Sequence, residues 1–198
     1  MNRTAHAVRA LVSVLVLGLL AGCSQPAPWH LKDVSGLLPD LQFQLTRARD
    51  GKTVTAADYR GKVVALYFGY TNCADVCPIM MGEFAAALQS IGDRADDVRV
   101  LFVSVDPKRD TRQRLAQYAS AFGDAFVGLR GDMSTLREVT KRYRTTFGYG
   151  KPDDNGFYEV SHSTAAFIFD RKGNVRLLAQ QDAPVGDIAA DLTRLVQE

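Results

Sequence analysis

An apolar stretch that leads directly into two cysteines and a proline constrains the fold of this chain more than any other feature. Residues 63–68 are apolar throughout, which is typical of a central β-strand covered on both faces. Cys73 and Cys77 follow, and Pro78 suits the first turn of a helix, where its missing amide proton costs no hydrogen bond. The sequence therefore predicts a strand that enters a helix, with two thiols at the junction.

A helix N-terminus is a place where thiols become reactive. It carries partial positive charge and free amide protons, and both favour a thiolate. We therefore expect a lowered thiol pKa at this junction. A lowered pKa assists disulfide exchange and metal binding equally. The cysteine pair therefore indicates reactive thiols but does not distinguish redox chemistry from metal binding.

The rest of the pattern predicts one α/β domain with a central mixed sheet. Apolar residues recur at helical spacing from Cys77 onward, and the strand 98–105 follows, which makes a right-handed βαβ unit. Further predicted elements are a hairpin around the turn 49–52, helices over 111–122 and 133–147, a strand at 126–129, a surface excursion at 149–158, a hairpin over 165–179 and a closing helix from Pro184. This order is thioredoxin-like, although a redox pair in that fold usually has one residue fewer between its cysteines.

The N-terminus has the pattern of a bacterial lipoprotein signal peptide. A basic start precedes the apolar run 10–20, which is shorter than the roughly 20 residues that span a bilayer. The run ends in Leu20-Ala21-Gly22-Cys23, which resembles a lipobox. We expect cleavage before Cys23, lipidation of its thiol, and a protein anchored to a bacterial membrane and facing the periplasm. An ordinary signal peptide is the alternative, and the choice of inner or outer membrane stays open.

The predicted organisation is a signal peptide over 1–22, a lipidated, proline-rich tether over 23–40 and a folded domain over 41–198. The chain has 24 basic and 22 acidic residues, and Arg3 and Arg9 leave with the signal peptide. The mature charge is therefore balanced, and nothing in it indicates nucleic-acid binding. Of the three cysteines, only Cys73 and Cys77 remain as thiols. A disulfide that closes so short a loop stabilises little, so we expect the pair to be functional.

A third ligand would favour metal binding over redox chemistry, because two thiolates and an imidazole form a trigonal copper site. The mature chain has two histidines, His30 and His162. His30 lies in the predicted tether, where we expect it to be solvated. His162 directly precedes the strand that begins at 165, in a loop that lies near the strand–helix junction of thioredoxin-like folds. We expect His162 to face the cysteines as a ligand, rather than to be only a hydrogen-bonding loop residue.

These motifs resemble the SCO/SenC family, thioredoxin-like copper chaperones of cytochrome c oxidase assembly. The resemblance covers almost the whole mature domain and includes the segments 61–64, 68–71, 73–78, 104–111 and 160–164. It implies that Cys73, Cys77 and His162 bind Cu(I) or Cu(II) and that the copper is delivered to the binuclear copper site of oxidase subunit II. It also implies other periplasmic copper chaperones or thiol reductants as partners. Ala74 departs from the family, which often has proline there.

Four residues near these motifs have weaker predictions. Asp75 and Asp106 match family positions, and we expect Asp75 to dock a partner or cap the helix and Asp106 to shape the loop before Pro107. Met80 and Met81 are soft donors beside the site, but their helical spacing predicts core packing.

Enzymatic alternatives remain open. The same pair could form a thiol-disulfide oxidoreductase that keeps the oxidase copper-site cysteines reduced, or a redox sensor, with His162 tuning the thiol pKa. A peroxide-reducing enzyme fits less well, because peroxiredoxin-like proteins place a threonine three residues before the attacking cysteine. Tyr70 occupies that position here.

Overall fold

The computed structural model describes residues 27–198, so the predicted signal peptide and Cys23 lie outside the described residues. The strands are β1 Lys32–Asp33, β2 Gln44–Arg47, β3 Thr53–Thr55, β4 Val63–Gly69, β5 Val98–Ser104, β6 Phe126–Arg130, β7 Phe147–Tyr149, β8 Val160–His162, β9 Ala166–Phe169 and β10 Val175–Ala179. The α-helices are α1 Val76–Ile91, α2 Arg112–Ser120, α3 Met133–Arg142 and α4 Val185–Gln197. No helix within 27–198 combines the length and the apolar character needed to cross a membrane.

One mixed sheet organises the domain, and it confirms the predicted α/β class. The strand order is β1-β10-β9-β4-β5-β6-β2-β3, and β7 and β8 form a separate two-stranded sheet. Strands β4, β5 and β6 are parallel, whereas β9 pairs with β4 in the antiparallel sense. Strand β4, which begins the predicted βαβ unit, therefore also pairs with β9 of the C-terminal hairpin. That arrangement brings the start of α1 and the segment before β9 to one end of β4.

Burial of the central strands explains why the sequence predicts them so clearly. Every residue of β4 is buried, and Val100–Ser104 of β5 are buried as well. Helices α1 and α4 pack against each other, and α2 packs against β6. Among the largest side chains that are buried at the centre are Tyr67, Phe68, Phe84 and Phe102. The cysteine pair thus follows directly on a completely buried strand.

Helix α3 is shorter than predicted, because it ends at Arg142 rather than continuing to Phe147. Arg144 adopts a positive φ of 53°, which directs the chain out of the helix. Phe147 then pairs with His162 in the β7–β8 sheet. The prediction of a helix to 147 is wrong because Tyr143 and Phe147 are both buried but belong to different elements.

The predicted tether is partly folded, so the ordered domain begins before residue 41. Strand β1 pairs with β10, and Leu31 and Val34 are buried in the core. The backbone amides of His30 and Leu31 donate to the carboxylate of Asp191 at 3.0 and 2.8 Å. The side chain of His30 remains largely exposed, as predicted, and approaches Asp187.

Candidate metal centre

The two cysteines are held in different ways at the junction of β4 and α1. Cys77 lies in the first turn of α1 and is completely buried. Cys73 lies in the preceding turn and is half-buried; its amide donates to the carbonyl of Tyr70 at 3.1 Å. The amide of Cys77 donates to Cys73 Sγ at 3.4 Å. Both are free thiols, with Cys73 on the accessible side.

His162 faces the cysteines, as the sequence predicts, and it does so from the end of β8 rather than from a loop. Its Nε2 lies 3.4 Å from Cys77 Sγ. Its Nδ1 lies 2.8 Å from the carbonyl oxygen of Ser163, which can only accept a hydrogen bond, so Nδ1 carries the proton. The Nε2 lone pair is therefore directed at the thiols. The ligand atoms of Cys73, Cys77 and His162 all lie within 4.8 Å of one another.

Burial controls the charges at this centre. It lowers the pKa of His162, which keeps the imidazole neutral and able to act as a ligand. Burial also raises the pKa of Cys77 well above its ordinary value. The expectation of a lowered pKa is therefore wrong for Cys77. The loss of water around the sulfur outweighs the helix N-terminus, so a bound cation would have to supply the charge that stabilises the thiolate.

Two tyrosines and one glycine lie against the ligand side chains of the centre. The rings of Tyr67 and Tyr70 stand nearly perpendicular to the His162 ring, with centroid separations of 6.1 and 5.7 Å. The Tyr67 hydroxyl lies 3.9 Å from Cys77 Sγ. A Cβ at Gly69 would lie 2.8 Å from the same sulfur, so only glycine leaves room for it. Sequence reasoning missed this role, although a glycine that ends a buried strand beside a cysteine motif is a usable signal.

The loop between β5 and α2 supplies a polar network behind the centre. Asp106 is buried, forms an ion pair with Arg109, and accepts from the Tyr158 hydroxyl at 2.9 Å. The guanidinium of Arg109 lies 3.8 Å from the centroid of the Tyr158 ring and 5.6 Å from that of Tyr70. Asp106 therefore does more than shape its loop, because it connects that loop to the segment before β8.

Two of the weaker predictions have mixed outcomes. Met80 and Met81 are completely buried, so they pack in the core as their spacing predicts. Asp75 stands at the N-cap position of α1, but its side chain makes no capping hydrogen bond and is exposed. The capping interpretation of Asp75 is therefore wrong.

A cleft of about 640 Å³ opens beside the half-buried thiol. Its walls include Cys73, Asp75, Tyr149, Phe157 and His162. Tyr149 and Phe157 are among the exposed large apolar side chains. Two thiols and a neutral imidazole are soft and borderline donors, which suit Cu(I) and similar transition metals rather than Mg²⁺ or Ca²⁺. The donors thus fit a transition-metal ion that can be reached from one side.

Comparisons with known proteins identify the family. A family model described as SCO1/SenC matches residues 38–197, so the chain belongs to the SCO1/SenC family. The human mitochondrial SCO1 homolog is 32% identical over 152 residues, which are 76% of this chain and 50% of that protein. This chain thus spans half of that relative's length.

Solved structures agree with this assignment. ScoI from Bradyrhizobium japonicum, determined with copper bound, is 35% identical with a TM-score of 0.72, over 79% of this chain and 99% of that one. A SCO1/SenC family lipoprotein from Bacillus anthracis is 29% identical with a TM-score of 0.67, over 80% of this chain and 96% of that one. The fold is therefore the thioredoxin-like fold of Sco proteins, as predicted.

Proposed function

We propose that this protein is a copper chaperone in cytochrome c oxidase assembly that binds Cu(I) or Cu(II) through Cys73, Cys77 and His162. The observation that carries the proposal is the convergence of these three donors within 4.8 Å, in a member of the SCO1/SenC family. The copper-bound ScoI from Bradyrhizobium supports copper as the metal.

The different exposure of the ligands fits a metal that is passed on. Cys77 is buried, whereas Cys73 and His162 border the cleft, and of these two His162 is held by its hydrogen bond to Ser163. A partner's cysteine could enter from the cleft and take the ion by ligand exchange. We propose that the recipient is the binuclear copper site of oxidase subunit II, and that periplasmic copper chaperones or thiol reductants load or reduce the centre.

The proposed location follows from the N-terminal motif. We propose that residues 1–22 are a signal peptide and that Cys23 carries a lipid that anchors the domain to a bacterial membrane, facing the periplasm. The Bacillus anthracis relative, which is called a lipoprotein, supports the anchor. Trp29, Leu31 and Val34 pack against the domain, so the chain is already attached to it from about residue 29 onward.

A second candidate function rests on the closeness of the thiols. The sulfurs of Cys73 and Cys77 lie within 4.8 Å of each other, so a modest movement would bring them to the S–S bond length of about 2.05 Å. Cys73, as the more exposed thiol, would attack a partner's disulfide. We rank this thiol-disulfide role second, because a redox pair does not require an imidazole directed at Cys77.

The test is a copper titration of the reduced protein against a competing chelator. Cys73→Ser, Cys77→Ser and His162→Ala should each weaken binding severely, while His30→Ala serves as the matched histidine control. Loaded protein should then transfer copper to the metal-free copper domain of subunit II. Normal copper binding by His162→Ala, together with disulfide exchange that needs both cysteines, would favour the oxidoreductase instead.

A further inference from the structure

Asp110 is a buried carboxylate that neither contacts the proposed ligands nor faces the cleft. It is completely buried, and it accepts hydrogen bonds from the Thr71 amide at 3.0 Å and the Thr71 hydroxyl at 2.6 Å. The hydroxyl of Ser104, at the end of β5, donates to the same carboxylate at 2.6 Å. Its three hydrogen bonds therefore join the end of a core strand to the turn that carries Cys73.

The turn needs such an anchor because Cys73 has few others. Cys77 belongs to α1 and is completely enclosed, whereas Cys73 lies between the end of β4 and the start of α1. The Cys73 amide is bonded within its own turn, to the carbonyl of Tyr70. The hydrogen bonds from Thr71 to Asp110 tie this turn to the loop that follows β5. Thr71 stands two residues before Cys73, so a shift of Thr71 moves the thiol directly.

We propose that Asp110 is a positioning residue for the metal centre, and that its two hydrogen bonds from Thr71 hold Cys73 at the distance from Cys77 and His162 that copper binding requires. This inference rests on the proposed function, since it assigns the anchor to a copper ligand. An ionised carboxylate accepts hydrogen bonds only, so it satisfies all three of its donors at once. An uncharged amide of the same shape would turn its nitrogen toward the Thr71 hydroxyl, which would then accept instead of donating, so the charge-assisted hydrogen bonds from Thr71 are weakened.

The main variants change Thr71 rather than Asp110, because Thr71 is only partly buried and its replacement disturbs the core less. Thr71→Val keeps the shape of the side chain and removes the hydroxyl donor, and Thr71→Ser restores that donor. Ser104→Ala is the matched control, because it removes the bond that Ser104 donates to the same carboxylate, together with the bond that Ser104 Oγ accepts from the Asp106 amide, but leaves both bonds from Thr71. Asp110→Asn tests the carboxylate itself. Each variant is compared with the unmodified protein in copper affinity, in unfolding by urea and in hydrogen exchange of the Cys73 amide in the reduced, metal-free state.

Loss of a group that orients a metal ligand typically costs about 10- to 100-fold in metal affinity. We expect Thr71→Val and Asp110→Asn to weaken copper binding by about 10-fold or more and to speed exchange of the Cys73 amide. Thr71→Ser should behave as the unmodified protein, and Ser104→Ala should keep its copper affinity even if it is less stable.

Two results would overturn the inference: an unchanged copper affinity in Thr71→Val, or an equal loss of affinity in Ser104→Ala that follows stability alone. Failure of the unmodified protein to bind copper would instead overturn the proposed function. Hydrogen exchange then tests separately whether Asp110 holds the turn. Unchanged exchange of the Cys73 amide in Thr71→Val would show that it does not.

Discussion

Replacing Gly69 by alanine adds a methyl group beside Cys77, and we expect this methyl group to disturb the metal centre. A Cβ there would lie 2.8 Å from Cys77 Sγ and 2.8 Å from Phe102 Cε2, both of which belong to completely buried residues. Ordinary contacts between such atoms are about 3.5–4.0 Å, so about 1 Å of space is missing on two sides. The backbone cannot retreat easily, because the Gly69 carbonyl accepts from the Val105 amide at 2.8 Å.

We therefore expect Gly69→Ala to lose about 1–3 kcal/mol of unfolding free energy, as overpacked cores do. The sulfur of Cys77 would also be displaced, which changes its distance to His162 Nε2, now 3.4 Å. Copper affinity should consequently fall by about 10-fold or more, as for other disturbed ligands. The measurements are urea unfolding and copper titration against a chelator.

Gly128 in β6 provides the matched control. A Cβ at Gly128 would lie 2.8 Å from Leu115 Cγ and 2.9 Å from the Leu115 carbonyl oxygen, so the crowding is similar but lies away from the centre. Gly128→Ala should lose stability and keep its copper affinity. The reasoning is refuted if Gly69→Ala binds copper as tightly as Gly128→Ala does.

Three further predictions concern the Asp106–Arg109 ion pair, the N-terminal segment and the cysteine pair. Arg109→Gln should lower the unfolding free energy by about 3–5 kcal/mol in urea, because it leaves buried Asp106 without its cation, whereas Lys62→Met, at a more exposed pair, should lose far less. A chain that begins at residue 41 should be less stable by about 3 kcal/mol or more than one that begins at 27, because the buried side chain of Leu31 and the donors to Asp191 are lost. Protein oxidised to the Cys73–Cys77 disulfide should bind no copper until it is reduced, and equal binding by both forms in a titration would contradict this.

The sequence predicts the scaffold well, because the scaffold depends on patterns that are local and strong. The apolar run in β4 is unbroken and that in β5 is interrupted only by Arg99 before its final serine, and the apolar residues change to helical spacing at α1. These two strands and the first helix are therefore predicted nearly to the residue. The placement of His162 opposite the cysteines follows from the order of elements. The family resemblance implies the full set of three ligands, and the structure brings their side chains together.

The remaining features depend on contacts between distant residues, which no local pattern reports. Tyr143 and Phe147 continue the helical period of α3, although a turn at Arg144 places Phe147 in a strand. The raised pKa of Cys77 reflects burial beneath other elements rather than its place on the helix. Asp110 could not be distinguished in sequence from other acidic residues after a strand, because its partner Thr71 lies in another loop.

The most direct test of the central claim is X-ray absorption spectroscopy of the reduced protein loaded with one Cu(I) ion. The geometry of Cys73, Cys77 and His162 predicts a copper ion with two sulfur neighbours and one nitrogen neighbour. In His162→Ala the nitrogen neighbour should disappear while the sulfur signal remains, and in His30→Ala the spectrum should not change. A spectrum of the unmodified protein with sulfur neighbours alone, identical to that of His162→Ala, would contradict the proposed centre.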